Sequence, residues 1–316
     1  MLKLSLAFVL ITVLLACGAV PAGAALPGTA DEFKNLVTAQ SGDPVGATKL
    51  FFAAVFVTTH KDEALGHKML DEIMCTDKWE DTHPVLAAAL KESKWVFDSY
   101  DTASDPENFE LDASDPDMLS VSLFDLGELA KVRLATSASD TARPIYLKKI
   151  DGGWRVASES PLCTGLKAAD GNPGEDIAGT NSPAGVVHLW LEAMYLYVLG
   201  DKEEGERIWR ACLASNPPET SIALCKRQVA ERPYIVFSYA VGTSPEESYL
   251  NFDPFSFTVE ITRTEDVAGN RKAFVRSSGA DNPRPFMSKI TKRGQLRMDE
   301  YSSLYVGVKT PPKPEW

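Results

Sequence analysis

Residues 182–209, SPAGVVHLWLEAMYLYVLGDKEEGERIW, replay the pattern of residues 43–70, DPVGATKLFFAAVFVTTHKDEALGHKML. One offset of 139 aligns Pro44 with Pro183, Gly46 with Gly185, Leu50 with Leu189, Phe51 with Trp190, Ala54 with Ala193, Asp62 with Asp201 and Gly66 with Gly205. Further along, the offset grows to 141, pairing Arg143 with Arg284, Pro144 with Pro285 and Lys148 with Lys289. It reaches 142 for Arg155 with Arg297, Leu162 with Leu304 and Gly165 with Gly307, a drift that loop insertions explain. A chain that writes one pattern twice must fold as two like units.

The 316 residues accommodate two domains, and 44% apolar content gives each a core. The net charge of −12 argues against binding a phosphate backbone. Most of that charge lies in the first repeat, while the second is balanced, so contact between them meets little like-charge repulsion.

Residues 1–24 read as an export signal: Lys3, an apolar run from Leu4 to Ala16, and small residues ending at Ala24. A second reading competes. LLACG at residues 14–18 has the form of a bacterial lipobox, which would make Cys17 a lipidated N-terminus. Both place the protein outside the cytoplasm, periplasmic or membrane-anchored. No later segment has the ~18 apolar residues of a membrane span. Export makes Cys75, Cys163, Cys212 and Cys225 candidates for two disulfides, one in each repeat. Buried free thiols are the other reading, because these cysteines do not occupy matching positions. Nothing in their spacing points to zinc.

Repeat 1 is expected over 41–165. Helices are predicted at about 44–57, 62–74 and 85–92, and strands at 95–101, 118–126, 129–137, 143–150 and 154–158. Residues 166–181, small, polar and turn-rich, read as a linker. Repeat 2, 182–308, is expected to follow suit. Its helices fall at about 184–199, 202–214 and 219–230, and its strands at 234–242, 256–264, 271–278, 284–291 and 295–301. A proline-rich tail, 309–316, ends the chain. Helices segregated to one face of an antiparallel sheet define an α+β fold.

Three helices followed by a bent antiparallel sheet, ending in the hairpin KKIDGGWRV, resemble the NTF2-like (cystatin-like cone) superfamily. Residues 277–308, SSGADNPRPFMSKITKRGQLRMDEYSSLYVGV, are also similar to a bacterial exported family of uncharacterised function with that fold. The resemblance implies a cone-shaped cavity between helices and sheet in each of two tandem domains. It also implies dimerisation through the sheets, which a tandem copy could satisfy as an intrachain pseudo-dimer. Such domains host enzymes, small-molecule binders and assembly modules, so function must come from the site.

No serine-hydrolase elbow, phosphate loop, zinc-protease helix or dinucleotide fingerprint occurs. His188 and Glu192, one helical turn apart in an apolar stretch, are the candidate acid–base pair of a cone. Repeat 1 has Lys49 and Ala53 at those places, so a catalytic pair would exist once only. His60, His67 and His83 read as solvated. Lys148 and Lys289 are candidate anion-binding residues, with a snorkelling role as the plainer reading. Arg143 and Arg284 read as surface groups. Acidic residues between Asp98 and Asp117 form a solvated loop or, against the spacing rules, a calcium loop. No cofactor is implied. The expected role is a non-catalytic binding or assembly module, whose partner is a cell-envelope protein or a small ligand; the alternative is a small-molecule enzyme using His188 and Glu192.

Overall fold

A computed structural model describes residues 26–76, 78–167, 173–176, 181–292 and 294–312. The expected export signal and Cys17 lie outside the described residues.

The first repeat opens with a helix that the sequence reading did not include, α1 (Ala30–Gln40), capped by Thr29 and burying Phe33 and Val37. Helix α2 (Pro44–Phe56) starts on Pro44, with Asp43 accepting from the Gly46 amide. It is buried on almost every side, as its continuous apolar run requires. A π-turn over Val57–Lys61 ends it. Helix α3 (Glu63–Ile73) then folds back so closely that a Cβ on Gly66 would lie 2.6 Å from the Thr58 Cα. Short helix α4 (Trp79–Thr82) and helix α5 (Pro84–Glu92) follow.

Residues 95–101, predicted as a strand, instead form the single-turn helix α6 (Trp95–Asp98). Four strands make an antiparallel sheet in sequence order: β1 (Asp117–Leu119), β2 (Leu129–Leu134), β3 (Arg143–Ile150) and β4 (Gly153–Ser158). Asp151 and Gly152, both at positive φ, turn β3 into β4. The expected linker contains a small hairpin, β5 (Leu166–Lys167) with β6 (Pro173–Asp176), and Leu166 is buried.

The second repeat copies the first. Helices α7 (Pro183–Val198), α8 (Lys202–Cys212) and α9 (Glu219–Glu231) precede the single turn α10 (Tyr234–Phe237), again where a strand was predicted. The sheet runs β7 (Ile261–Val267), β8 (Asn270–Val275), β9 (Arg284–Ile290) and β10 (Leu296–Glu300), antiparallel and in order. Residues 309–312 are not a loose tail: the Lys309 amide bonds Gly279, and Pro311 is buried.

The copies agree down to single hydrogen bonds. Tyr100 Oη donates to the Leu162 carbonyl at 2.7 Å, and Tyr239 Oη to that of Leu304 at 2.8 Å. Arg143 reaches the carbonyl of Gly165 and Arg284 that of Gly307, each glycine at positive φ. Arg143 is therefore buried, not a surface group: its guanidinium satisfies a carbonyl left over by the turn after the short helix that follows β4. One parallel bridge joins Met74 to Val156 and its counterpart joins Leu213 to Met298.

The repeats meet through unlike surfaces. Repeat 1 offers β2 and β3 of its sheet and the turn after β4; repeat 2 offers α7, α8 and the stretch before β7. Lys131 Nζ and Tyr146 Oη both donate to Asp201 at 2.7 Å, and Lys148 Nζ to Asp253 at 2.7 Å. The Tyr146 ring stacks on Phe255. The exchanged contact is not made, because Asp62 caps its own helix at the Leu65 amide and Lys272 lies over the Phe274 ring. The junction is thus heterologous rather than a head-to-head pseudo-dimer.

Candidate functional site

Four buried ionisable groups, His83, Glu159, His188 and Glu192, gather where α5, β4 and the turn after it meet α7. His83 sits between α4 and α5, because Pro84 starts α5 and sets the chain direction there. Its Nδ1 lies 2.8 Å from Glu159 Oε2, with the two side chains 4% and 0% exposed. His83 was expected in solvent; the fold instead carries it against the end of the sheet. Burial alone would lower its pKa, but the Glu159 carboxylate and the adjacent Cys75 side chain outweigh that and raise it to about 10. His83 is therefore an imidazolium at neutral pH.

Repeat 2 completes the cluster with α7. Ser158 donates a short hydrogen bond to Glu192 Oε1, tying the end of β4 to α7. Burial, then the charge of Glu159, raises the Glu192 pKa to about 7. His188, one turn earlier, lies face to face with Phe257, ring centroids 4.1 Å apart and planes 4° from parallel. Burial, then the His83 charge, lowers its pKa to about 3, so it stays neutral. The sequence pair thus has two separate environments, an aromatic face for His188 and the end of β4 for Glu192. Both residues are 4% exposed.

The interior between helices and sheet is filled with aromatic rings. In repeat 1, Phe52 contacts Phe51, Phe56, Phe97 and Tyr100 at centroid separations of 5.6–6.3 Å. In repeat 2, Tyr195 contacts Phe237, Phe252 and Phe257 at 4.9–5.7 Å. A cleft between the repeats is bordered by Lys131, Tyr146, Asp201, Leu196 and Phe255, with a volume of about 230 Å³. That is below the roughly 300–1,000 Å³ of ordinary small-molecule pockets.

The remaining candidates separate. Lys148 bridges the repeats to Asp253, whereas Lys289 pairs with Asp299 on its own sheet, so the two do not form one anion site. Cys75, Cys163, Cys212 and Cys225 are all free thiols; the disulfide candidates form no bridge. Cys212 Sγ donates to the Trp209 carbonyl, and burial pushes its pKa up to about 12. In the acidic loop, Asp101 accepts from the amides of Ala103, Asp105 and Glu110, so its carboxylate organises the turn. No group of three or more His, Cys, Asp or Glu suited to a metal ion occurs among the described residues.

Sequence reasoning missed His83, Glu159, Lys131, Asp201 and Asp253. A signal for the first two exists in the repeat alignment: offset 139 pairs His83 with Ile222, and offset 142 pairs Glu159 with Tyr301. At these two positions the ionisable side chain is present in repeat 1 alone, whereas Lys131 and Asp201 have charged counterparts, Lys272 and Asp62, in the other copy.

This arrangement defines a class: a duplicated α+β protein whose buried charges join its halves. Two consecutive matches, at residues 25–170 and 175–312, place it further, and the chain belongs to the family described as Domain of unknown function (DUF6935). No curated protein and no solved structure matches it.

Proposed function

We propose that the chain is an exported, non-catalytic binding or assembly module made of two NTF2-like domains. One observation carries the reading: the candidate acid and base, His188 and Glu192, are sealed at 4% exposure behind Phe257 and Ser158, where a substrate has no approach. A general base must come within hydrogen-bond reach of the proton it takes. The buried charges instead serve to orient one repeat on the other. Helices followed by a four-stranded antiparallel sheet, twice, support the NTF2-like assignment. The signal-like residues 1–24 support export, with release after Ala24 or anchoring through Cys17.

The enzyme reading is tested by screening small substrates with the full chain and its Glu192→Gln variant. No turnover by either is expected. Turnover that E192Q abolishes while the thermal midpoint holds would overturn the proposal. The mass of the N-terminal peptide from fractionated cells tests export: a start at Ala25 or a lipidated Cys17 supports it, and an intact Met1 rejects it.

A further inference from the structure

Strand β7 is the edge of the second sheet, with β8 on one side and no strand on the other. It is seven residues long and exposed throughout after Ile261. The corresponding edge of the first sheet, β1, has three residues. A long open edge presents a row of unpaired amides and carbonyls, a template for another strand. The order of side chains along β7, Ile-Thr-Arg-Thr-Glu-Asp-Val, decides which strand fits.

We infer that β7 pairs antiparallel with β7 of a second copy of this chain, about a two-fold axis through Thr264. In that register Arg263 lies opposite Glu265 of the second copy, and Glu265 opposite its Arg263. Thr264 faces Thr264, Thr262 faces Asp266, and Ile261 faces Val267. Every charged residue from Arg263 to Glu265 meets its opposite, and the apolar ends meet each other. Cross-strand pairs of this kind stabilise a sheet, and like charges opposite one another destabilise it. Centring the axis on Arg263, Glu265 or Asp266 would place that residue against itself.

The backbone is compatible with that register. Val267 and Asn270 close the β7–β8 hairpin around Ala268 and Gly269, at φ 48° and 82°. In a two-residue hairpin the closing pair exchanges hydrogen bonds, and the pattern alternates from there. Val267, Glu265 and Arg263 therefore turn their amides and carbonyls toward β8. Asp266 and Thr264 turn theirs outward, where a second strand would meet them. Arg263 and Glu265 share one face and already touch at 3.0 Å, with Arg263 braced over the Phe274 ring at 4.0 Å. The partner's pair would close a ring of four charges. The β-bulge between Ile261 and Arg263 bends the strand where it leaves the pairing.

This inference deepens the assembly reading and rests on it only for the use of the surface. A chain that stays monomeric would sink the pairing and leave assembly with a different protein standing. The test is sedimentation of the full chain over a range of concentrations, with four variants. The wild type is expected to dimerise. Arg263→Glu and Glu265→Arg should each weaken the dimer about tenfold or more, since each places like charges opposite at two symmetric sites. The double exchange R263E/E265R should restore it. Thr264→Pro, which removes an outward-facing amide, should give a monomer with an unchanged thermal midpoint. A concentration-independent monomer, a dimer indifferent to all four variants, or a double exchange that fails to restore dimerisation would each overturn the inference.

Discussion

The two repeats share a skeleton and differ in what they bury at their ends. In repeat 1, His83 and Glu159 form a charged pair at the junction; in repeat 2 the aligned positions hold Ile222 and Tyr301. In repeat 2, α7 carries His188 and Glu192; the matching positions of α2 hold Lys49 and Ala53. Lys131 is buried against Asp201, while its counterpart Lys272 lies by an aromatic ring nearer solvent. The duplicated hydrogen bonds belong to the skeleton, whereas the contact uses charges found in one copy only, such as His83 and Glu159, and charges present in both copies but paired across the junction in one arrangement only, such as Lys131 and Asp201. A heterologous interface requires that split, because each copy uses a different face of the same fold.

Four experiments would break or sharpen that contrast. The largest effect is expected from His83→Gln, which removes the charge partner of the fully buried Glu159, at a cost of about 3–5 kcal/mol near neutral pH. It should also change the pH profile of unfolding. His83 has a folded pKa of about 10 against an ordinary 6.5, so its contribution is complete below pH 6.5 and lost as pH rises toward 10. His188, lowered from 6.5 to about 3, contributes above pH 6.5 and loses that contribution toward pH 3. Glu192, raised from 4.5 to about 7, contributes below pH 4.5 and loses that contribution toward pH 7. The opposed slopes of His188 and Glu192 should hold stability nearly flat from pH 4.5 to 6.5, with a fall above it. Denaturant titrations across pH would show the alkaline fall in the wild type and its loss in H83Q.

Next comes the lysine pair. Lys131→Met should cost about 3 kcal/mol, because Asp201 loses its charge partner at 12% exposure. Lys272→Met should stay within about 0.5 kcal/mol, as for an ordinary surface change. Equal effects would mean that the junction adds nothing to the pair.

The skeleton should respond alike in both copies. Gly66→Ala and Gly205→Ala each push a methyl into backbone, 2.6 Å from Thr58 Cα and 2.6 Å from Ala193 O. Overpacking of this kind costs about 1–3 kcal/mol, read as a lower denaturant midpoint. The smallest effect is expected from Tyr100→Phe and Tyr239→Phe, about 1 kcal/mol apiece for one buried carbonyl left without its donor. A loss confined to one of the two tyrosines would show that the repeats have diverged in their skeletons as well.

The duplication was legible because skeleton residues answer to local rules. Helix caps, apolar runs and the Asp151–Gly152 turn are written in neighbouring residues. Residues 95–101 and 234–242 misled in the same way. Their alternation of large apolar side chains looks like a strand, yet the residues Trp95–Asp98 and Tyr234–Phe237 coil into single turns that aim Tyr100 and Tyr239 at distant carbonyls. That geometry depends on residues some sixty positions away, which no local period encodes. His83 misled for the same reason: among charged neighbours it reads as exposed, and only the docking of the β4 end brings Glu159 to it. The pair His188 and Glu192 was expected in the cone of repeat 2, but the groups that surround it, Phe257 and Ser158, come from other elements.

The tyrosine bonds also bear on the order in which the molecule comes together. Tyr100 and Leu162 lie in one repeat, Tyr239 and Leu304 in the other, and neither clasp borrows an atom across the junction. Each half can therefore latch itself shut as soon as its own last residues emerge, without waiting for its twin. The pair of His83 and Glu159 is likewise made within repeat 1, whereas Glu192 reaches Ser158 only through the docking of α7.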